Sequence, residues 1–245
     1  MPKIYISPSD QGRNVYAAGN TNEEAQCERI AVATEKALLR CGFDTKLNLT
    51  DSMEARVRES DEWGADVHVP LHTNAFNKKV AGTRIMCFDL KGEGYRASVA
   101  VFKHLAPITP GTSENVSAHP ELYEIHKPKA ISVYIEVDFH DVPDVAKWLI
   151  ENTEKIAEAI AQGMCDYFKM EYIPPEGGNA LYIGEGAAWS KEARAWAVEN
   201  GIIRGNGYGA DGKIDFAWKD NVTREEMAVM LQRLYELVRE LIVSV

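Results

Sequence analysis

The stretch Asp66–Phe76, with the sequence DVHVPLHTNAF, decides the fold class of this chain. Its first residues, Asp66–Leu71, predict an apolar strand that ends at His72. Upstream, strands and helices are predicted in strict alternation: Lys3–Ser7, Glu23–Cys41, Phe43–Leu49 and Ser52–Trp63. Strands that alternate with helices of this length are typical of a mostly parallel sheet with helices on both faces.

The alternation continues downstream of Phe76. The predicted elements are two strands, a helix between them, and one or two helices at the end: Thr83–Phe88, Tyr95–Leu105, Ser132–Val137 and Val142–Phe168. The sequence therefore predicts an α/β fold with a mostly parallel, twisted sheet. Ligands of such sheets bind beyond the carboxyl ends of the strands. We therefore expect Pro8–Asn22, His72–Asn77 and Glu136–His140 to share one rim.

Charge and composition exclude several classes of partner. The chain has 27 Lys and Arg against 37 Asp and Glu, a net charge of -10, so we expect no nucleic-acid partner. No apolar run reaches the roughly 18–20 residues of a membrane-spanning helix, so no membrane span is expected. The amino-terminal sequence shows no signal peptide, and four cysteines are too few for a disulfide scaffold. We expect synthesis in a reducing cytoplasm.

The composition changes after residue 172. A Pro- and Gly-rich stretch at 173–187 predicts a linker between a first domain, 1–172, and a small helical module, 188–245. The module's last predicted helix begins with a capping box formed by Thr223 and Glu226. All six histidines precede this module, so imidazole chemistry belongs to the first domain.

Three features of the first domain are candidates for chemistry. His72 ends an apolar strand and is followed closely by Asn74. Glu136 ends another buried strand with no cationic partner in the local sequence, which suits a metal ligand or a proton carrier with a raised pKa. Glu23 and Glu24 begin a helix, where carboxylates complement the helix dipole. Each has an ordinary structural explanation; only their convergence on one rim favours a functional site.

The other histidines are weaker candidates. His68 shares a strand face with His72, but four residues along a strand span about 13 Å, too far for one metal ion. We therefore interpret His68 as structural. No motif surrounds His104, His119 or His126, and we expect these three at the surface.

The motifs together resemble the zinc-dependent N-acetylmuramoyl-L-alanine amidases of bacteria and phages, over about residues 1–170. The matching pieces are a Pro-containing loop after the first strand, TNEEAQC, HTNA, a strand beginning at Gly-Thr, and IEVDF. The family binds zinc through His, Glu and His and uses a further Glu as catalytic acid and base. The resemblance implies Glu23 and His72 as zinc ligands and Glu136 as the catalytic residue, with Glu24 as the alternative to Glu23.

The first loop departs from the family pattern. Where the family has Asp-Pro-Gly-His-Gly-Gly, this chain has SPSDQG at Ser7–Gly12, so that Asp10 occupies the position of the first histidine. Aspartate can bind zinc, and Asp10 is one candidate for the third ligand. His140, four residues beyond Glu136, is another, and a site with two protein ligands or none stays open. Asn74 and Gln11 are predicted to hydrogen-bond the substrate.

The resemblance implies a peptidoglycan hydrolase that cleaves the amide between N-acetylmuramic acid and L-alanine. Zinc-activated water would attack, and Glu136 would carry the proton. Such a protein is a prophage endolysin or a cell-wall remodelling enzyme that acts at the wall. Without a readable signal peptide, we expect release by lysis, through a pore or by non-classical export. The alternatives are a catalytically inactive wall-binding protein with the same fold and a zinc peptidase acting on the stem peptide.

The small module resembles a surface-layer homology (SLH) repeat. The matching pieces are WAVENGIIRGNG, with Trp196 and Gly201, and VTREEMAVMLQR, with Thr223, Arg224 and Glu226. The family anchors proteins to cell-wall polymers through three repeats, whereas this chain has one. The resemblance implies weak binding of a secondary cell-wall polymer or a homo-oligomer formed through the module; a helical appendage without ligand affinity is the alternative.

Overall fold

The computed structural model describes residues 1–175 and 227–235. The chain divides into two compact units, Met1–Ile173 and Pro174–Val245. In the second unit, residues 227–235 are helical, within the predicted last helix. The predicted linker beyond residue 175 and the motif residues Trp196, Gly201, Thr223, Arg224 and Glu226 lie outside the described residues. The predicted SLH-like module therefore stays a prediction.

The first unit contains seven strands and six α-helices. The strands are β1 Lys3–Pro8, β2 Asp44–Leu47, β3 Val67–Asn74, β4 Arg84–Cys87, β5 Asn115–Ala118, β6 Ile131–Ser132 and β7 Tyr134–Phe139. The helices are α1 Glu23–Arg40, α2 Met53–Trp63, α3 Glu93–Leu105, α4 Tyr123–His126, α5 Pro143–Glu151 and α6 Thr153–Phe168. No helix in the described ranges is long and apolar enough to cross a membrane.

One sheet organises these elements. Its strand order is β2-β1-β3-β7-β4-β5, and β6 pairs with β3. All pairs are parallel except β4 with β7, where Arg84 lies opposite Glu136 and Met86 opposite Tyr134. The mostly parallel α/β fold is confirmed. The carboxyl ends of β1, β3 and β7 therefore meet at one edge of the sheet, and that of β4 lies at the opposite edge.

Side chains alternate between two faces of the sheet. Ile4 and Ile6 of β1 belong to the hydrophobic core, whereas the Tyr5 hydroxyl donates to Glu59 of α2 at 2.6 Å. In β3, Leu71 is in the core, and His68 lies 3.1 Å from Glu124 of α4. Helices α1, α3 and α6 pack together over the apolar face, and α2 and α4 lie on the polar face. Each buried Ile or Leu contributes roughly 1.5–3 kcal/mol to stability.

Several boundaries differ from the sequence prediction for local reasons. The strand predicted at Ser132–Val137 is two strands, since β6 ends at Ser132 and β7 runs from Tyr134 to Phe139. Of the one or two helices predicted for Val142–Phe168, the structure has two, which meet at Asn152. Strand β5, with the short polar sequence NVSA, and the one-turn helix α4 were not predicted, because neither carries a hydrophobic period.

Candidate active site

A buried carboxylate–imidazole pair lies at the edge where β1, β3 and β7 end. Glu23 is the first residue of α1, and His72 is on β3; they are 1% and 6% exposed. His72 Nδ1 lies 2.9 Å from Glu23 Oε1, and because an ionised carboxylate only accepts, the imidazole donates. Helix α1 begins here because Asn22 caps it, accepting from the Ala25 amide.

Each member of the pair shifts the pKa of the other toward its charged form. Burial raises the pKa of Glu23, but the hydrogen bond and the positive charge of His72 outweigh it and leave that pKa below its ordinary value. Burial lowers the pKa of His72, but the hydrogen bond to Glu23 and the charge of Glu136 outweigh it and raise that pKa. The His72 ring also stacks on Tyr134 of β7, with the ring centroids 4.8 Å apart. The imidazole is thus held by a hydrogen bond at Nδ1 and by stacking of its ring on Tyr134.

Glu136 adds a second carboxylate beside the pair. It lies opposite His72 in the register of β3 and β7, and side-chain alternation along β7 directs it to the polar face. Its Oε2 atom is buried and has no hydrogen-bond partner in the described ranges. Burial raises the pKa of Glu136 to about 7; the charge of Glu23 adds to this increase, and that of His72 opposes it. A carboxyl with such a pKa can both accept and donate a proton near neutral pH.

The loop after β1 closes over the pair with neutral side chains. Asn14 Nδ2 donates to Glu23 Oε2 at 2.7 Å and to Gln11 Oε1 at 2.7 Å. Gln11 Nε2 lies 3.5 Å from His72 Nδ1. The structure thus brings the predicted substrate residue Gln11 to the pair. The other predicted substrate residue, Asn74, lies at the same edge, where its Oδ1 accepts from the Ala75 amide at 2.8 Å.

Asp10 points elsewhere. Its carboxylate lies 3.9 Å from Arg56 Nη2, and its side chain is 51% exposed. Arg56 is on α2 and is itself buried; its guanidinium also donates to the backbone oxygens of Pro8 and Asp51. The loop is therefore fastened to α2, and Asp10 is not brought to the Glu23–His72 pair.

The two alternative ligands make other contacts. The Glu24 carboxylate lies against Gly12, where an added Cβ would be 2.3 Å from its Oε2 atom. His140 Nδ1 lies 2.9 Å from the Thr73 hydroxyl, and its ring stacks on Tyr16 at a centroid distance of 4.9 Å. Burial lowers the pKa of His140. A neutral, hydrogen-bonded His140 supports the wall of the site.

Sequence reasoning missed several residues of the site. Tyr134 could have been found, because it is two residues before Glu136 and so shares its face of β7. Asn14 and Arg56 carried no signal, since a polar residue in a loop and a basic residue on a charged helix are common. The same holds for Glu124, which accepts from the Ser7 hydroxyl at 2.5 Å on the polar face.

The side chains present fit a zinc ion in part. One carboxylate oxygen and one imidazole nitrogen lie side by side, both are ligand types that zinc binds, and the neighbouring Glu136 has a buried oxygen without a partner. In residues 1–175 and 227–235, however, no three His, Cys, Asp or Glu side chains form a group that could hold a metal ion. Two of the three predicted ligands are therefore together, and the third position is not filled.

These features define an α/β protein with an acid–imidazole site at the carboxyl edge of its sheet. The family model described as N-acetylmuramoyl-L-alanine amidase matches residues 4–166, well over half of the chain. The chain therefore belongs to the N-acetylmuramoyl-L-alanine amidase family. Membership of this family supports peptidoglycan hydrolase activity.

Solved structures show the same fold. The catalytic domain of CwlV, an N-acetylmuramoyl-L-alanine amidase from Bacillus (Paenibacillus) polymyxa var. colistinus, superposes with a TM-score of 0.63 at 17% identity, covering 70% of this chain and 100% of that one. The CwlD amidase from Clostridioides difficile, solved in complex with the GerS lipoprotein, gives 0.61 at 19% identity, covering 69% and 99%.

An endolysin is also similar. The catalytic domain of an endolysin targeting Clostridia difficile has a TM-score of 0.59 and 18% identity, covering 68% of this chain and 98% of that one. Identities this low show a shared fold only. A search of curated proteins finds no significant match.

Proposed function

We propose that this chain hydrolyses the amide bond between N-acetylmuramic acid and L-alanine in peptidoglycan. The observation that carries the proposal is the position of Glu136, whose unpartnered buried oxygen lies on the strand next to His72 and its partner Glu23. The site thus combines a hydrogen-bonded carboxylate–imidazole pair with a carboxylate oxygen that has no partner and can take up a proton.

Glu136 is the catalytic acid and base in this proposal. With its pKa raised to about 7 by burial, it takes a proton from the attacking water and returns it to the departing amine of L-alanine. The His72–Tyr134 stack keeps the imidazole in one orientation during this transfer.

Zn²⁺ is the proposed cofactor, held by Glu23 and His72. Asp10 stays the predicted third ligand, with Glu24 and His140 as the alternatives. When bound, the ion would polarise the amide carbonyl and lower the pKa of a bound water. The hydrogen bonds that Glu23 now receives from His72 and Asn14 would give way to the ion, so the pair is a pre-positioned ligand set.

The same proposal includes the residues that bind the substrate and the place where the chain acts. Gln11 and Asn74 lie at the carboxyl edge, where amide side chains can hydrogen-bond the sugar or the peptide stem. We propose that the chain acts at the cell wall, as an endolysin or a remodelling enzyme. Binding of a secondary wall polymer and self-association through the second unit are further proposals, which rest on the SLH-like motifs alone.

A second candidate function is wall binding without catalysis. The fastening of Asp10 to Arg56 favours it, because the family's first zinc ligand has no counterpart beside the Glu23–His72 pair. In this case the fold would recognise the muramoyl peptide and leave its amide intact.

Digestion of purified peptidoglycan separates these candidates. We expect the wild-type chain to release new L-alanine amino termini and no new reducing sugars. A peptidase would instead expose other amino termini, and a binding protein would expose none. Release of other termini, or of none, would overturn the proposed amidase activity.

A further inference from the structure

An exposed phenylalanine stands at the rim of the site. Phe76 is four residues after His72, in the loop that follows β3, and it is 74% exposed. Because β3 ends at the carboxyl edge of the sheet, this loop lies at the edge that holds the Glu23–His72 pair and Glu136. A large aromatic side chain therefore faces solvent where a substrate would approach.

The backbone around Phe76 is firmly held. The amides of Phe76 and Lys78 both donate to Asp141 Oδ2, at 3.0 and 2.8 Å, and the His140 amide donates to the Asn74 carbonyl at 2.8 Å. The next amides, of Lys79 and Val80, donate to Asn77 Oδ1 at 3.1 and 3.0 Å. The exposure of Phe76 thus results from a hydrogen-bonded loop that presents the ring outward.

We propose that Phe76 stacks on a pyranose ring of the glycan strand and so positions the muramic acid residue whose amide is cleaved. This inference rests on the proposed function. A sugar ring presents C–H groups on its faces, and the π face of an aromatic ring carries the complementary partial negative charge. An exposed ring needs no ordered partner in the free protein, and stacking would remove its apolar surface from water.

The chain contains a matched control. Phe88 is also an exposed phenylalanine, at 55%, and it follows β4. Since β4 runs antiparallel to β7, Phe88 lies at the opposite edge of the sheet from the site. Exposed apolar residues are common on protein surfaces and need no special role. Phe88 represents this ordinary case. Comparing substitutions at the two phenylalanines therefore tests whether glycan binding depends on the position of Phe76 at the edge of the site.

The test measures binding in full-length chains that carry Glu136→Gln, so that cleavage does not consume the ligand. The probes are disaccharide-peptides and tetrasaccharide-peptides released by a muramidase from purified peptidoglycan, titrated by calorimetry. We expect Phe76→Ala to weaken binding about five- to tenfold. Phe76→Trp should bind at least as tightly as the parent, Phe76→Leu should be weakened, and Phe88→Ala should be unchanged. Thermal unfolding should be the same in all variants.

Three results would overturn the proposal: binding by Phe76→Ala within twofold of the parent, full binding by Phe76→Leu, or an equal loss in Phe88→Ala. Failure of the proposed function would look different. It would appear as a wild-type chain that releases no L-alanine amino termini, whatever the binding of the Phe76 variants.

Discussion

Two regions at the same edge of the sheet follow the amidase pattern to different degrees. The strand-end region of Glu23, His72 and Glu136 brings its predicted residues together, at 2.9 Å for the pair and in register for Glu136. The loop region Ser7–Gly12 places Asp10 beside Arg56. The contrast shows that a parallel sheet determines the positions of the residues at the ends of its strands. The positions of loop residues depend instead on the side chains of other elements that contact the loop.

The largest expected effect is on turnover in the strand-end region. Glu136→Gln should lower kcat about 10²–10⁴-fold, because the amide cannot carry the proton. Zinc content should stay as in the wild type, measured by elemental analysis alongside amine release from peptidoglycan. Turnover within threefold of wild type would remove Glu136 from the mechanism.

The next largest effect is expected on zinc affinity. His72→Ala should weaken zinc binding at least about 100-fold, since it removes one of two adjacent donors. His119→Ala is the control, because His119 pairs with Glu121 and is 39% exposed, and its zinc affinity should change less than threefold. Competition titration with a zinc chelator measures both. Equal zinc affinity in His72→Ala and wild type would disprove the ligand assignment.

The sequence predicted the strand-end region because its signals are periodic. An apolar strand that ends in His72, a capped helix that begins at Glu23 and a buried strand that carries Glu136 each fix a residue at a known end of an element, and the parallel sheet aligns those ends. It could not predict the direction of β4 or the existence of β5, because strand pairing depends on distant contacts. Nor could it predict the Arg56 contact, since a loop and the surface of α2 are joined only in the folded chain.

The fastening of the loop region should affect stability more than catalysis. Arg56→Ala should lower the free energy of unfolding by about 1–3 kcal/mol, because it leaves the buried Pro8 oxygen without its donor and removes the contact with the Asp51 carbonyl oxygen. Denaturant unfolding measures the change. A loss below about 0.5 kcal/mol would show that Arg56 does not fasten the loop.

The raised pKa of Glu136 predicts a pH-dependent stability. The folded pKa of about 7 exceeds the ordinary value of 4.5, so the folded state holds a proton that the unfolded state has lost, and stability falls as pH rises through this interval. In metal-free protein, Glu136→Gln should therefore be more stable than wild type by about 1–3 kcal/mol at pH 8 and nearly equal at pH 4. Thermal unfolding at both pH values tests this. An equal difference at the two pH values would contradict a raised pKa.

The smallest effect is expected at Asp10. Asp10→Asn should change the free energy of unfolding by less than about 0.5 kcal/mol, since the ion pair with Arg56 is half exposed. Zinc affinity should change less than threefold if the carboxylate stays at Arg56. A tenfold or greater loss of zinc affinity would instead identify Asp10 as the third ligand and would bring the loop region into line with the family pattern.

The most direct test of the central claim is mass spectrometry of a defined N-acetylmuramoyl-L-alanyl peptide after incubation with wild-type chain and Zn²⁺. We predict two products, free N-acetylmuramic acid and a peptide with an L-alanine amino terminus, which Glu136→Gln should form at least about 100-fold more slowly. Substrate that stays intact with the wild-type chain, or equal cleavage by both chains, would contradict the account.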